Sequence, residues 1–113
     1  MREGILVVRP LRKDEFKVFF ESKAIEKDWR DLVATRRNQT VEAWEFLTKT
    51  PAESSPLNKR LRHDLEFITR DGKRFDRWQL KLNASDGARI WYYVSGDSVF
   101  IEAVHTAHPN VTK

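Results

Sequence analysis

The last third of the chain has the residue pattern of three consecutive β-strands. The stretch from Arg77 to Lys113 contains RWQLKL, then DGARIWYYV, then VFIEAVHTAHPN. In the first two, side chains alternate with period two, which is typical of strands whose two faces meet different surroundings. One face would carry Trp78, Leu80, Leu82, Ile90, Tyr92 and Val94, and the other Arg77, Gln79, Lys81, Arg89, Trp91 and Tyr93. The pattern predicts one core face and one open face rich in cations and aromatic rings.

The make-up of this open face favours a nucleic-acid ligand, because Lys and Arg neutralise phosphates while aromatic rings stack on bases. The charge distribution agrees. Between Asn58 and Lys81 there are eight Lys or Arg residues and four acidic ones, an excess that equals the whole net charge of +4. A basic surface that is merely solvated is the alternative. RNA is the first partner that the residues indicate.

Length and composition exclude several classes of protein. At 113 residues the chain has the size of one domain, residues 1–113, in which residues 1–15 would be an extra strand or an N-terminal extension. The absence of Cys excludes disulfides and a thiol nucleophile. His105 and His108 lack a third ligand nearby, and no glycine-rich phosphate loop is present, so we expect neither a metal nor a cofactor. No apolar run suits a membrane span or a signal peptide, which predicts a cytoplasmic protein without membrane contacts.

The first half of the chain predicts one strand and two helices. Residues 16–20 alternate like a strand, and Ser22 stands at a helix N-cap position. A helical stripe follows at Ile25, Trp29, Leu32 and Val33. The polar residues 36–39 would end this helix and Thr40 would cap a second one, which ends before Pro51. So short a connection predicts an α-hairpin.

Turn signals divide the second half. Residues 50–56 have the composition of a loop, and residues 61–69 fit either a strand or a helix. Asp71-Gly72 indicates a turn, and Gly96-Asp97 has the form of a two-residue hairpin loop. With that loop, the predicted cross-strand pairs are Tyr93 with Phe100, Trp91 with Glu102, Arg89 with Val104 and Ala88 with His105.

These elements predict an α+β fold. An N-terminal strand and an α-hairpin would pack on a twisted, mostly antiparallel sheet of four to five strands. The helices would cover one sheet face and leave the basic, aromatic face open. That open face is the predicted site.

The ordered motifs resemble the RelE/ParE superfamily of bacterial toxins from type II toxin-antitoxin modules. The resemblance lies in VFFESKAIEKDWRDL at residues 18–32, in KRLRH at residues 59–63, and in WQLKL followed by GARIWY at residues 87–92. It covers about residues 16–108. Gln79 departs from the pattern, because nucleases of the RelE kind offer a first lysine there.

The resemblance implies a RelE-like or HigB-like mRNA interferase, an endoribonuclease that inhibits translation. It implies mRNA in the A site of the 70S ribosome as substrate and a cognate antitoxin protein as partner. It implicates Lys81 and Arg89 in catalysis, with His105 or His108 in the tail. Arg62 is implicated more loosely, and the remaining expected RNA-binding residues are Arg74, Arg77, Trp91, Tyr93 and Lys113.

Metal-independent RNA cleavage needs a deprotonated 2′-OH, a stabilised phosphorane and a protonated 5′-oxygen. His105 and His108 titrate nearest neutral pH, whereas Arg89 and Lys81 would supply fixed positive charge, and Lys81 is also a candidate base. Arg89 would alternatively pair with Glu102 across the hairpin in a weak surface bridge. Two other classes stay open: a ParE-like toxin that inhibits gyrase without nuclease activity, and an RNA-binding protein that does not cleave.

Overall fold

The alternating residues of the last third form the centre of a five-stranded sheet, which we describe from a computed structural model covering residue 5, residues 7–85 and residues 87–106. The helices are α1 (Lys23–Thr35) and α2 (Arg37–Lys49). The strands are β1 (Lys17–Phe20), β2 (Asn58–Arg60), β3 (Phe67–Arg70), β4 (Lys73–Asp76), β5 (Trp78–Lys81), β6 (Arg89–Ser95) and β7 (Ser98–His105). A short 3₁₀ turn (His63–Leu65) lies between β2 and β3. The predicted α+β class is confirmed.

The main sheet has the strand order β1-β7-β6-β5-β2 and is mixed. Every neighbouring pair is antiparallel except β1 and β7, which run parallel. Strands β3 and β4 form a separate two-stranded sheet. Its turn at Asp71 and Gly72 has φ of 53° and 76°, and Gly96 in the β6–β7 turn has φ of 58°. Both turns predicted from the sequence are present, since these positive φ values are those of tight hairpin turns.

The core lies between the two helices and one sheet face. Leu32 of α1 and Leu47 of α2 are fully buried against it. From the sheet the predicted inner residues Trp78, Leu80, Ile90 and Tyr92 join the same cluster, as does Ile101, with Val18 and Phe20 at its edge. The hydroxyl of Tyr92 lies 2.7 Å from both the carbonyl oxygen of Pro51 and Oδ1 of Asn58. The loop after α2 is thereby joined to the sheet centre.

The connection between the helices differs from the prediction. Helix α1 does follow Ser22, but α2 begins at Arg37, so Thr40 lies inside α2 and is not its cap. The hydroxyl of Thr40 donates to the carbonyl oxygen of Arg36 at 2.8 Å, a bond typical of threonine within a helix. Of residues 36–39, only Arg36 has non-helical backbone angles. The predicted break at residues 36–39 was therefore too long, because exposed polar side chains are compatible with a first helical turn.

The outer sheet face is not open along its whole length, which corrects the prediction. The β3–β4 hairpin lies over β6, where the ring of Phe75 contacts that of Tyr93 with centroids 4.9 Å apart. Arg89, Trp91 and Tyr93 are all buried. Period two assigns residues to a face correctly, but it does not reveal a second layer that covers this face.

At the N-terminal end, Ile5, Val7 and Val8 are exposed and form no strand. Further along, Arg9 lies over the ring of Trp44 and pairs with Glu15.

None of the helices in the described part of the chain is long and apolar enough to cross a membrane.

Candidate functional site

A β-bulge in the β6–β7 hairpin places His105 directly opposite Arg89. Tyr93 faces Phe100, as predicted, and Tyr92 faces Ile101, but Trp91 faces Ala103. Glu102 is the extra residue on β7, and the pairing beyond it moves by one position. The predicted pairs of Trp91 with Glu102, Arg89 with Val104 and Ala88 with His105 were therefore wrong.

The shifted register aligns three basic side chains across neighbouring strands. Lys81 on β5 is the partner of Arg89 on β6, and Arg89 is the partner of His105 on β7. Directly opposed residues project from the same sheet face, so we call these residues the Lys81–Arg89–His105 row. Lys81 is partly exposed at one end of the row. The structure thus brings together three of the four predicted catalytic residues, and the fourth, His108, lies outside the described residues.

Arg89 at the centre of the row is a buried cation with neutral partners. It is 5% exposed. Its Nε donates to the carbonyl oxygen of Gly87 at 2.9 Å, and Nη1 donates to Oε1 of Gln79 at 3.2 Å. No carboxylate of the described residues forms a salt bridge with it, since Glu102 pairs with Arg77 instead. Desolvation lowers the pKa of Arg89, although a guanidinium stays charged at neutral pH.

His105 is held against Trp91. The two rings meet edge to face, with centroids 4.6 Å apart. Its Nε2 is enclosed and has no hydrogen-bond partner within the described ranges. Desolvation first and the charge of Arg89 second lower the pKa of His105, against a smaller opposing effect of Asp28 on α1. The lowered pKa favours the neutral form of the imidazole.

A second polar group fixes the covering hairpin beside the row. Arg70 donates to both carboxylate oxygens of Glu21 at 2.9 and 3.1 Å, and the hydroxyl of Tyr93 donates to Glu21 at 2.6 Å. Burial alone would raise the pKa of Glu21, but the bonds from Arg70 and Tyr93 outweigh it and the pKa is lowered. Burial and the Glu21 carboxylate raise the pKa of Tyr93 to about 12.

Arg77 is likewise engaged within the fold. Its guanidinium pairs with Glu102 through two nitrogens, and the side chains are only 15% and 9% exposed. Arg77 also donates to the carbonyl oxygen of Leu65 at 3.3 Å. Of the residues expected to bind RNA, Arg77, Trp91 and Tyr93 are therefore parts of the packed outer layer and are largely enclosed.

The remaining predicted RNA-binding residues are dispersed. Arg74 is exposed on the β3–β4 hairpin, with its guanidinium 4.2 Å from the ring centroid of Phe67. Arg62 is exposed on a separate cleft of about 610 Å³ that Lys59, Arg60 and His63 also line. Lys113 lies outside the described residues.

Gln79 is a site residue that sequence reasoning did not select. Its Oε1 accepts from both Arg89 and the indole Nε1 of Trp91, the latter at 2.9 Å. The sequence feature that could have identified Gln79 is its position in the period-two alternation, which places it on the same sheet face as Lys81 and Arg89.

Among the described residues no group of three or more His, Cys, Asp or Glu side chains lies together as metal ligands would.

Comparison with protein-family models and with curated protein sequences finds no match for this chain.

Proposed function

We propose that the protein is the toxin of a type II toxin-antitoxin module and cuts ribosome-bound mRNA. The observation that supports this proposal is the Lys81–Arg89–His105 row, in which a buried guanidinium has neutral hydrogen-bond partners and no salt bridge to a carboxylate of the described residues. Burying a charge without a counter-charge is costly, so such a cation suits a site that receives an anion. A phosphodiester would supply the negative charge, in agreement with the RelE-like motifs of the sequence.

Each member of the row has a distinct part in the proposed reaction. Lys81 is the accessible member and would contact the scissile phosphate. Arg89 would stabilise the charge of the phosphorane from a fixed position, which is most effective where water is excluded. His105, whose lowered pKa favours the neutral imidazole, would accept the proton of the attacking 2′-OH at Nδ1, since Nε2 is enclosed. As the bond from the 2′-oxygen to phosphorus forms and the bond to the 5′-oxygen breaks, the 5′-oxygen would take a proton from water. The cognate antitoxin would keep the protein inactive by covering the end of the row at Lys81.

Expression in a bacterial host, with and without the Arg89→Met substitution, tests the proposal. We expect growth arrest and new mRNA 5′ ends inside codons for the unchanged chain, and neither for Arg89→Met. Arrest with stalled gyrase and intact transcripts would instead indicate a gyrase-inhibiting toxin. Absence of arrest at confirmed expression would contradict the proposed toxin activity.

A further inference from the structure

The side-chain amide of Gln79 connects two buried residues of the outer face. Oε1 accepts from Nη1 of Arg89 at 3.2 Å and from Nε1 of Trp91 at 2.9 Å. Trp91 is the direct cross-strand partner of Gln79. Arg89 lies two residues before Trp91 on β6 and projects from the same sheet face. Indole and guanidinium N–H groups donate only, so the two contacts also fix the orientation of the amide.

The acceptor at this position is neutral, which matters for the charge of the row. A carboxylate here would accept the same two hydrogen bonds, but it would also neutralise Arg89. A lysine here would place a second cation beside Arg89 and would leave the indole N–H without an acceptor. Glutamine holds Arg89 in place without adding a counter-charge.

We propose that Gln79 is a positioning residue that fixes Arg89 and Trp91 and keeps the charge of Arg89 available to an anionic phosphodiester. The ligand class rests on the proposed function, whereas the effect on the row does not. Arg89 faces His105 across the strands and Trp91 contacts its ring, so Gln79 also influences the surroundings of the imidazole. Among the described residues, the charged groups that affect the pKa of His105 are Arg89 and, from α1, Asp28.

The decisive comparison is between the unchanged protein and Gln79→Glu, which keeps an acceptor of the same length. The probe is a short 2′-O-methyl RNA, which lacks the nucleophile for cleavage. We expect roughly tenfold weaker binding, because a hydrogen-bonded carboxylate neutralises Arg89. NMR titration of His105, in a His63→Ala/His108→Ala background, should show a higher pKa, because the positive charge that opposes protonation is compensated.

Two further variants make the comparison specific. Asn38→Glu adds the same charge at an exposed position of α2 and should leave the titration of His105 unchanged. Gln79→Met removes the acceptor without adding charge, and we expect the indole N–H resonance of Trp91 to shift and RNA binding to weaken. If Gln79→Glu does not fold, the Gln79→Met result decides.

A purely structural acceptor would tolerate glutamate. Unchanged RNA affinity together with an unchanged His105 titration in Gln79→Glu would therefore overturn the inference, as would unchanged affinity in Gln79→Met. Failure of the proposed function has a different signature. If the unchanged protein binds no RNA or cuts no mRNA, the function is wrong, while the His105 titration still decides the role of Gln79.

Discussion

Arg89 lies directly opposite His105 on the neighbouring strand, because Glu102 is inserted as a bulge between this pair and the β6–β7 turn. Without the bulge, period two would turn His105 to the core face, together with Ile90 and Tyr92. Glu102 itself pairs with Arg77, which lies between β4 and β5. The ion pair thus holds the side chain of the bulged residue in place.

The Arg77–Glu102 pair should contribute strongly to stability. Arg77→Met leaves a largely buried carboxylate without its partner, and we expect a loss of about 3 kcal/mol in the free energy of unfolding. The double variant Arg77→Met/Glu102→Leu should recover much of that loss, because neither charge is then buried alone. Urea unfolding measures both.

The exposed pair of Lys17 and Asp97 is the matched control for the Arg77 and Glu102 variants. Its atoms are 3.8 Å apart and both side chains are largely in solvent. Lys17→Met should cost less than about 1 kcal/mol. Equal losses for Lys17→Met and Arg77→Met would show that burial of the Arg77–Glu102 pair has no energetic consequence.

The buried hydroxyl of Tyr92 should matter more than that of Tyr93. Tyr92→Phe removes the donor that lies 2.7 Å from the Pro51 carbonyl and from Oδ1 of Asn58, and we expect a loss of about 1–3 kcal/mol. In Tyr93→Phe the Glu21 carboxylate keeps both bonds from Arg70, so the loss should be smaller. Thermal unfolding of the two variants shows which substitution costs more stability. A larger loss in Tyr93→Phe than in Tyr92→Phe would contradict the assigned hydrogen bonds.

Acid should remove one contribution to stability through Glu15. The side-chain bonds from Arg9 and then the backbone N–H of Arg12 lower the pKa of Glu15 from its ordinary 4.5 to about 2. A lowered folded-state pKa means that this contribution is present above about pH 4.5 and is lost as the pH falls towards 2. Glu15→Gln should show a smaller decrease in melting temperature across that interval.

The exposed Glu53 offers a control for this pH dependence. Glu53→Gln should retain the full acid-dependent decrease of the unchanged protein. A decrease in Glu15→Gln as large as that of the unchanged chain would show that the Arg9–Glu15 contact is not formed in solution.

The sequence predicted the strands and their faces well, because alternation at Trp78, Leu80, Ile90 and Tyr92 is a local property. It did not predict the bulge, since Ile101-Glu102-Ala103-Val104 is compatible with either register. Nor did it predict that the β3–β4 hairpin covers Tyr93. The Asp71-Gly72 turn was visible, but the placement of the hairpin depends on contacts of Phe75 and Arg70 with residues distant in the chain.

The candidate site was predictable to the same extent. Lys81 and Arg89 follow from their shared face, whereas the position of His105 depends on the bulge. The role of Gln79 depends on which buried donors its amide meets, and only the folded structure shows this. The sequence did not predict that Arg77 pairs with Glu102, because this contact joins residues that are distant in the chain.

The most direct test of the proposed site is cleavage of a defined mRNA in ribosomal complexes by the purified protein and by Arg89→Met. We predict at least a hundredfold slower cleavage for the variant, the size of effect seen when one group that stabilises transition-state charge is removed. We also predict a loss of unfolding free energy of no more than about 1 kcal/mol, because Arg89 has no salt-bridge partner among the described residues. Cleavage at an unchanged rate by a folded Arg89→Met protein would contradict the Lys81–Arg89–His105 row as the catalytic site.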